Sequence, residues 1–142
     1  MKIFPVALAL FHRKTESKTL EVWVQIRTDD GPFHGLLEFP GGGVEVGETP
    51  LVAAVREVQE EVGISINPNL GQLMGIYKNE LFHKTILLHV FLFPDTALLE
   101  GRGSWLQINS ESLSAPYKGK IPPMNHDMID DLYRSLYDQG HE

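Results

Sequence analysis

The sequence predicts an α+β fold, an α/β/α sandwich with a mixed sheet, and three observations predict it. Short runs rich in branched and aromatic residues fill the N-terminal part of the chain and return in its middle. Between them, Thr49-Pro50 opens a stretch with apolar residues at helical spacing, which Gly63 closes. A second stretch of helical spacing lies near the C-terminus. Strands, helix, strands, helix is an order that suits one sheet with helices packed against it. A chain of 142 residues is expected to form one domain, 1–142. It is long enough to bury most of its apolar surface without covalent staples.

Taken in order, residues 3–11 are apolar and read as a buried strand, and the polar stretch 13–19 reads as a turn. Residues 20–27 form a second strand that completes a hairpin. Asp29-Asp30-Gly31-Pro32 marks 28–35 as a loop, and 36–39 is a short strand that enters Pro40-Gly41-Gly42-Gly43. Thr49 is placed to cap a helix and Pro50 to occupy its first position. Leu51, Ala54, Val55, Val58 and Val62 supply an apolar face, and Gly63 supplies the stop. Residues 73–77, 84–93 and 105–108 read as further strands. In 125–137, Met128, Ile129, Leu132, Tyr133 and Leu136 recur at helical spacing.

Composition narrows the class. Hydrophobic content of 42% and charged content of 22% are those of an ordinary soluble globular protein. A net charge of −7 disfavours non-specific binding to duplex nucleic acid or anionic membrane. The absence of cysteine removes disulfides, thiolate metal sites and a thiol nucleophile. The run 3–11 resembles the core of a signal peptide, but only Lys2 precedes it and His12-Arg13-Lys14 follow it directly. A core strand and a cytoplasmic location are therefore expected.

The chemistry concentrates in residues 42–64. Glu57, Glu60 and Glu61 are separated by three and four positions, which places them on one face of a helix. Crowded carboxylates repel one another unless a positive charge lies between them, and a hard divalent cation prefers such oxygens. The structural alternative is a solvated acidic helix end paired with Arg56. It is disfavoured because acidic groups at a helix C-terminus oppose the macrodipole. Gly41, Gly42 and Gly43 let the backbone turn sharply and approach a ligand closely.

The same stretch matches the Nudix box, G-x5-E-x7-R-E-U-x-E-E-x-G-U with U aliphatic. Gly42, Glu48, Arg56, Glu57, Glu60, Glu61 and Gly63 fill the fixed positions, and Val58 and Ile64 the aliphatic ones. At roughly 6% usage per residue type, a chance match at a given start is on the order of one in 10^9. The chain thus resembles the Nudix hydrolases, which cleave a diphosphate linked to another moiety. The resemblance implies Mg2+, with Mn2+ able to substitute, held by Glu57, Glu60, Glu61 and a loop carbonyl at Gly41. It implies that Arg56 orients a box glutamate and that Glu48 braces the loop. Glu57 is the expected general base, so Arg56, Glu57, Glu60 and Glu61 form the expected catalytic set.

The likeness extends beyond the box. Leu37-Glu38-Phe39-Pro40-Gly41-Gly42, Gly47-Glu48-Thr49-Pro50 and Pro122-Pro123-Met124-Asn125 resemble the MutT-like branch, which removes pyrophosphate from nucleoside triphosphates. That resemblance implies nucleotide contacts at Arg27, Phe39 and Asn125. Each has an ordinary alternative: an exposed strand end, a core side chain and a helix N-cap. Two departures stand out. Ser104 precedes Trp105 where many MutT-like proteins carry a glutamate, with Glu100 and Glu111 as flanking substitutes, and Gly43 stands where a lysine is common. The resulting expectation is a pyrophosphohydrolase acting on a small nucleotide such as 8-oxo-dGTP, as a monomer or homodimer. Other diphosphate substrates (a nucleotide sugar, an RNA 5′ end) and a non-catalytic nucleotide-binding module are the alternatives.

Overall fold

β1 (Lys2–Lys14) organises the chain. The computed structural model describes residues 2–14, 19–26, 37–81, 83–108 and 126–137. The chain divides into two compact units, one of 1–11 and 39–102, the other of 12–38 and 103–142. β1 gives its first residues to the former and its last three to the latter. Arg13 and Lys14, expected in a turn, extend the strand and pair with Glu21 and Leu20. Arg13 Nε donates to Glu21 Oε1 at 2.7 Å, so a cross-strand ion pair keeps these charged residues in the ladder.

In the first unit, β4 (Gly41–Gly43) pairs antiparallel with β1, Val6 opposite Gly43 and Leu8 opposite Gly41. The glycine triplet is thus a strand edge, where a sharp turn approaching a ligand was expected. Glycine is required at Gly41, where a Cβ would run into the Ala7 carbonyl and Leu8. α1 (Pro50–Glu61) follows, with Thr49 as its cap: Thr49 Oγ1 accepts from Val52 N at 3.2 Å. Ala53, Ala54, Val58 and Val62 are buried, whereas Leu51 and Val55 are only half-buried. The buried face is therefore turned toward Ala53 relative to the expected one. Gly63 ends the helix at φ +82, its N–H bonding to the Val58 and Gln59 carbonyls.

Beyond a 3-10 turn at Pro68–Leu70, β5 (Gln72–Leu81) and β6 (Lys84–Pro94) form an antiparallel pair, with a bulge between Leu73 and Gly75. β5 is about twice its expected length. Its polar end, Lys78 to Glu80, resembles loop by composition but is held by the ladder to β6. β6 runs between β1 and β5. Phe11 and Phe93 meet with ring centroids 5.6 Å apart. A second 3-10 turn, Ala97–Leu99, closes the unit.

In the second unit, β2 (Leu20–Ile26) pairs antiparallel with the end of β1, with β3 (Leu37–Glu38) and with β7 (Ser104–Ile108). Gly103 leads into β7, where an added Cβ would meet the Trp23 indole. α2 (His126–Tyr137) buries Met128, Ile129, Leu132 and Tyr133, as its spacing predicts. Its penultimate carbonyl, Leu136 O, accepts from Lys14 Nζ at 3.2 Å. The α+β class expected from the order of elements is the one observed. No helix among the described residues is long and apolar enough to cross a membrane.

Candidate active site

α1 and the β4 edge bring the box residues together, and Arg56 is the hub. Its Nη2 donates to Glu48 Oε1 at 2.7 Å and its Nε to Glu48 Oε2 at 3.1 Å, a bidentate grip. Nη2 also donates to the Gly43 carbonyl at 2.9 Å, which ties the helix to the glycine strand. Nη1 reaches Glu57 Oε1 at 3.0 Å and Glu60 Oε2 at 3.2 Å, and Glu45 lies 3.8 Å away. The offset of four between Arg56 and Glu60 thus produces a direct contact. Glu48 in turn accepts from the Glu45 backbone N–H at 2.8 Å, so the loop before the helix closes on itself.

Glu61 faces the other way along the loop: its Oε2 accepts from Gly41 N at 2.9 Å. Gly42 explains why glycine precedes the helix. A Cβ there would stand 2.6 Å from both Cδ and Oε1 of Glu57, so the bare backbone makes room for that carboxylate. Glu57 is largely enclosed, its side chain 17% exposed, while that of Glu60 is 57% exposed.

The electrostatics follow from the hub. Hydrogen bonds from Arg56 hold the Glu48 carboxyl below the usual carboxylate range, helped by the Glu45 N–H and opposed by burial. The hydrogen bond to Glu48, with a smaller one to Glu57, pushes Arg56 upward against its own desolvation. Both groups are therefore charged across the neutral range.

The donor set suits a hard divalent cation. It consists of oxygens, from three carboxylates in one helical segment and the carbonyls of a glycine strand, with the Glu57 carboxylate set against the bare Gly42 backbone. The side chains as placed are engaged with Arg56 and Gly41. No group of three or more His, Asp or Glu side chains among the described residues is already gathered for a metal.

Of the expected nucleotide contacts, Phe39 is buried, 3% exposed. Arg27, Asn125 and the flanking candidate Glu111 lie outside the described residues. Glu100 is exposed after the second 3-10 turn, and Ser104 opens β7 opposite Val24. Sequence reasoning missed Arg102, whose guanidinium reaches the Val62 carbonyl at 2.9 Å. Forty residues separate the two, and no helical or strand period signals such a contact.

The NUDIX domain family matches residues 3–115, a span that draws on both units. Over 65 residues the chain is 42% identical to the 8-oxo-dGTP diphosphatase of Escherichia coli K12, covering 46% of this chain and about half (47%) of that protein. Over 125 residues it is 29% identical to the 8-oxo-dGTP diphosphatase of Haemophilus influenzae, covering 82% of this chain and 85% of the other. Among solved structures, the MutT protein of Methanosarcina mazei Go1 aligns with a TM-score of 0.70 at 21% identity over 96% of both chains, a likeness of fold.

Proposed function

The chain belongs to the Nudix family, and on that premise we propose that it is a Mg2+-dependent pyrophosphohydrolase of nucleoside triphosphates. The observation that carries this reading is the Arg56 hub, which binds Glu48, Glu57, Glu60 and the Gly43 carbonyl into one charged unit. Such a unit has little purpose in a helix that only packs. The net reaction takes water and a nucleoside triphosphate to a nucleoside monophosphate and pyrophosphate, with attack at the β phosphorus. The substrate of choice is 8-oxo-dGTP, supported by relatives of that activity. The whole of 1–142 is read as one domain.

Glu57, Glu60 and Glu61, with the Gly41 carbonyl, would hold the cation. Bound there, it would neutralise phosphate charge and acidify water. The chain's own residues do the rest. Glu57 Oε2 takes the proton from the attacking water, while Oε1 stays on Arg56. Arg56 keeps Glu57 and Glu60 on one face despite their like charge. Glu48 and the Gly43 carbonyl fix the plane of that guanidinium. Arg27 and Asn125 are proposed to contact the nucleotide.

A panel of nucleotides assayed with and without Mg2+ tests this reading, with Glu60→Gln, Glu61→Gln as the decisive variant. The double variant should lose metal-dependent turnover by about three orders of magnitude or more, as loss of charged transition-state support would, and keep its circular dichroism. Undiminished turnover in it would refute the metal assignment. Ser104, in place of a glutamate, favours a second reading, a module that binds nucleotide without turning it over. Nucleotide binding without product release in the wild type would support that instead.

A further inference from the structure

We infer that Arg102 is a positioning residue for the box glutamates: it fastens the carboxyl end of α1 and so sets Glu60 and Glu61 for the cation. The inference rests on the proposed function, since it concerns the same carboxylates.

The last turn of α1 holds no basic residue, although it carries Glu60 and Glu61, with Glu57 just before it. Helix C-termini present unpaired carbonyls and partial negative charge. These glutamates are therefore held against both mutual repulsion and the macrodipole. Arg56 bridges Glu57 and Glu60, and a second cation reaches the helix end itself from forty residues along the chain. Arg102 Nη1 donates to Val62 O at 2.9 Å, and Nε donates to Leu98 O at 3.1 Å. One planar guanidinium thus joins the helix end to the 3-10 turn Ala97–Leu99, a geometry that suits arginine more than lysine.

Both sides of this clasp are built for it. The Arg102 backbone N–H bonds to Leu99 O at 3.1 Å, and Gly101 turns the chain at φ +78. On the helix side, Gly63 turns at φ +82, and a Cβ there would stand 3.3 Å from Arg102 Nη1. Val62 directly follows Glu61, so movement of the Val62 carbonyl passes to the glutamates before it. Arg56 grips carboxylates; Arg102 grips the backbone that carries them.

The test is Mn2+ titration, following free Mn2+ by electron paramagnetic resonance, of the wild type, Arg102→Ala and Arg102→Lys, with thermal melts alongside. Arg102→Ala should weaken Mn2+ binding about tenfold, as removal of an outer support typically does. The Mg2+ concentration for half-maximal hydrolysis should rise in parallel, and Arg102→Lys should recover part of both. A purely structural role would lower the melting temperature and leave the Mn2+ dissociation constant unchanged, which would overturn the inference. Should Arg102→Ala fail to fold, Arg102→Gln, which keeps an N–H donor near the Nε position but has neither the charge nor the reach to Val62, carries the same test with the same two outcomes. If the wild type binds Mn2+ and the variants match it, this inference alone falls. If the wild type binds none, the proposed function falls and takes the inference with it.

Discussion

Arg56 and Glu48 meet through two parallel hydrogen bonds, and the carboxylate titrates while the guanidinium does not. Because Arg56 lowers the Glu48 pKa in the folded chain, the pair stabilises the fold above the ordinary carboxylate value of about 4.3. That contribution is lost as pH falls through the depressed folded value. Wild type should therefore melt above Glu48→Gln at neutral pH, with a gap that closes on acidification below about pH 4. A gap that widens in acid would contradict the assignment. The Arg56–Glu60 contact was legible because an offset of four in a helix dictates adjacency. The Arg102 clasp was not, because its partner is fixed by chain path rather than by local period. Phe39 was ambiguous in sequence for a related reason: an aromatic after a short strand can fill a core or line a base pocket, and no local period separates the two.

Among the elements, α1 was legible at both ends because each end has its own chemistry, a threonine cap with proline behind it and a left-handed glycine stop. β4 was not, since strand reading depends on side chains that alternate across a sheet, and three glycines offer none. The same glycines give a graded test by alanine substitution. Gly63→Ala forces a Cβ into φ +82 and should cost about 1–2 kcal/mol in urea denaturation. Gly43→Ala meets nothing within 4 Å and should stay within about 0.5 kcal/mol of the wild type. Gly42→Ala should change stability less than Gly63→Ala yet depress turnover more, because the methyl displaces the flexible end of Glu57. If Gly42→Ala turns over normally, Glu57 is not the base.

For the molecule as a whole, the question is whether residues 1–142 melt as one body. β1 belongs to both compact units, so neither can unfold completely without disturbing the strand that the other uses. The family match likewise takes in residues of both. Calorimetry should therefore give one transition whose calorimetric and van't Hoff enthalpies agree. A cation bound only by the folded chain adds about 2.7 kcal/mol at one hundred times its dissociation constant. For a chain of this size that corresponds to a rise of several degrees in Tm. Mg2+ should raise the single transition, EDTA should reverse the rise, and Glu60→Gln, Glu61→Gln should abolish it. Two resolved transitions, with the metal moving only one, would show that the halves unfold independently and that the single-domain reading is wrong, while leaving the cation assigned to the box.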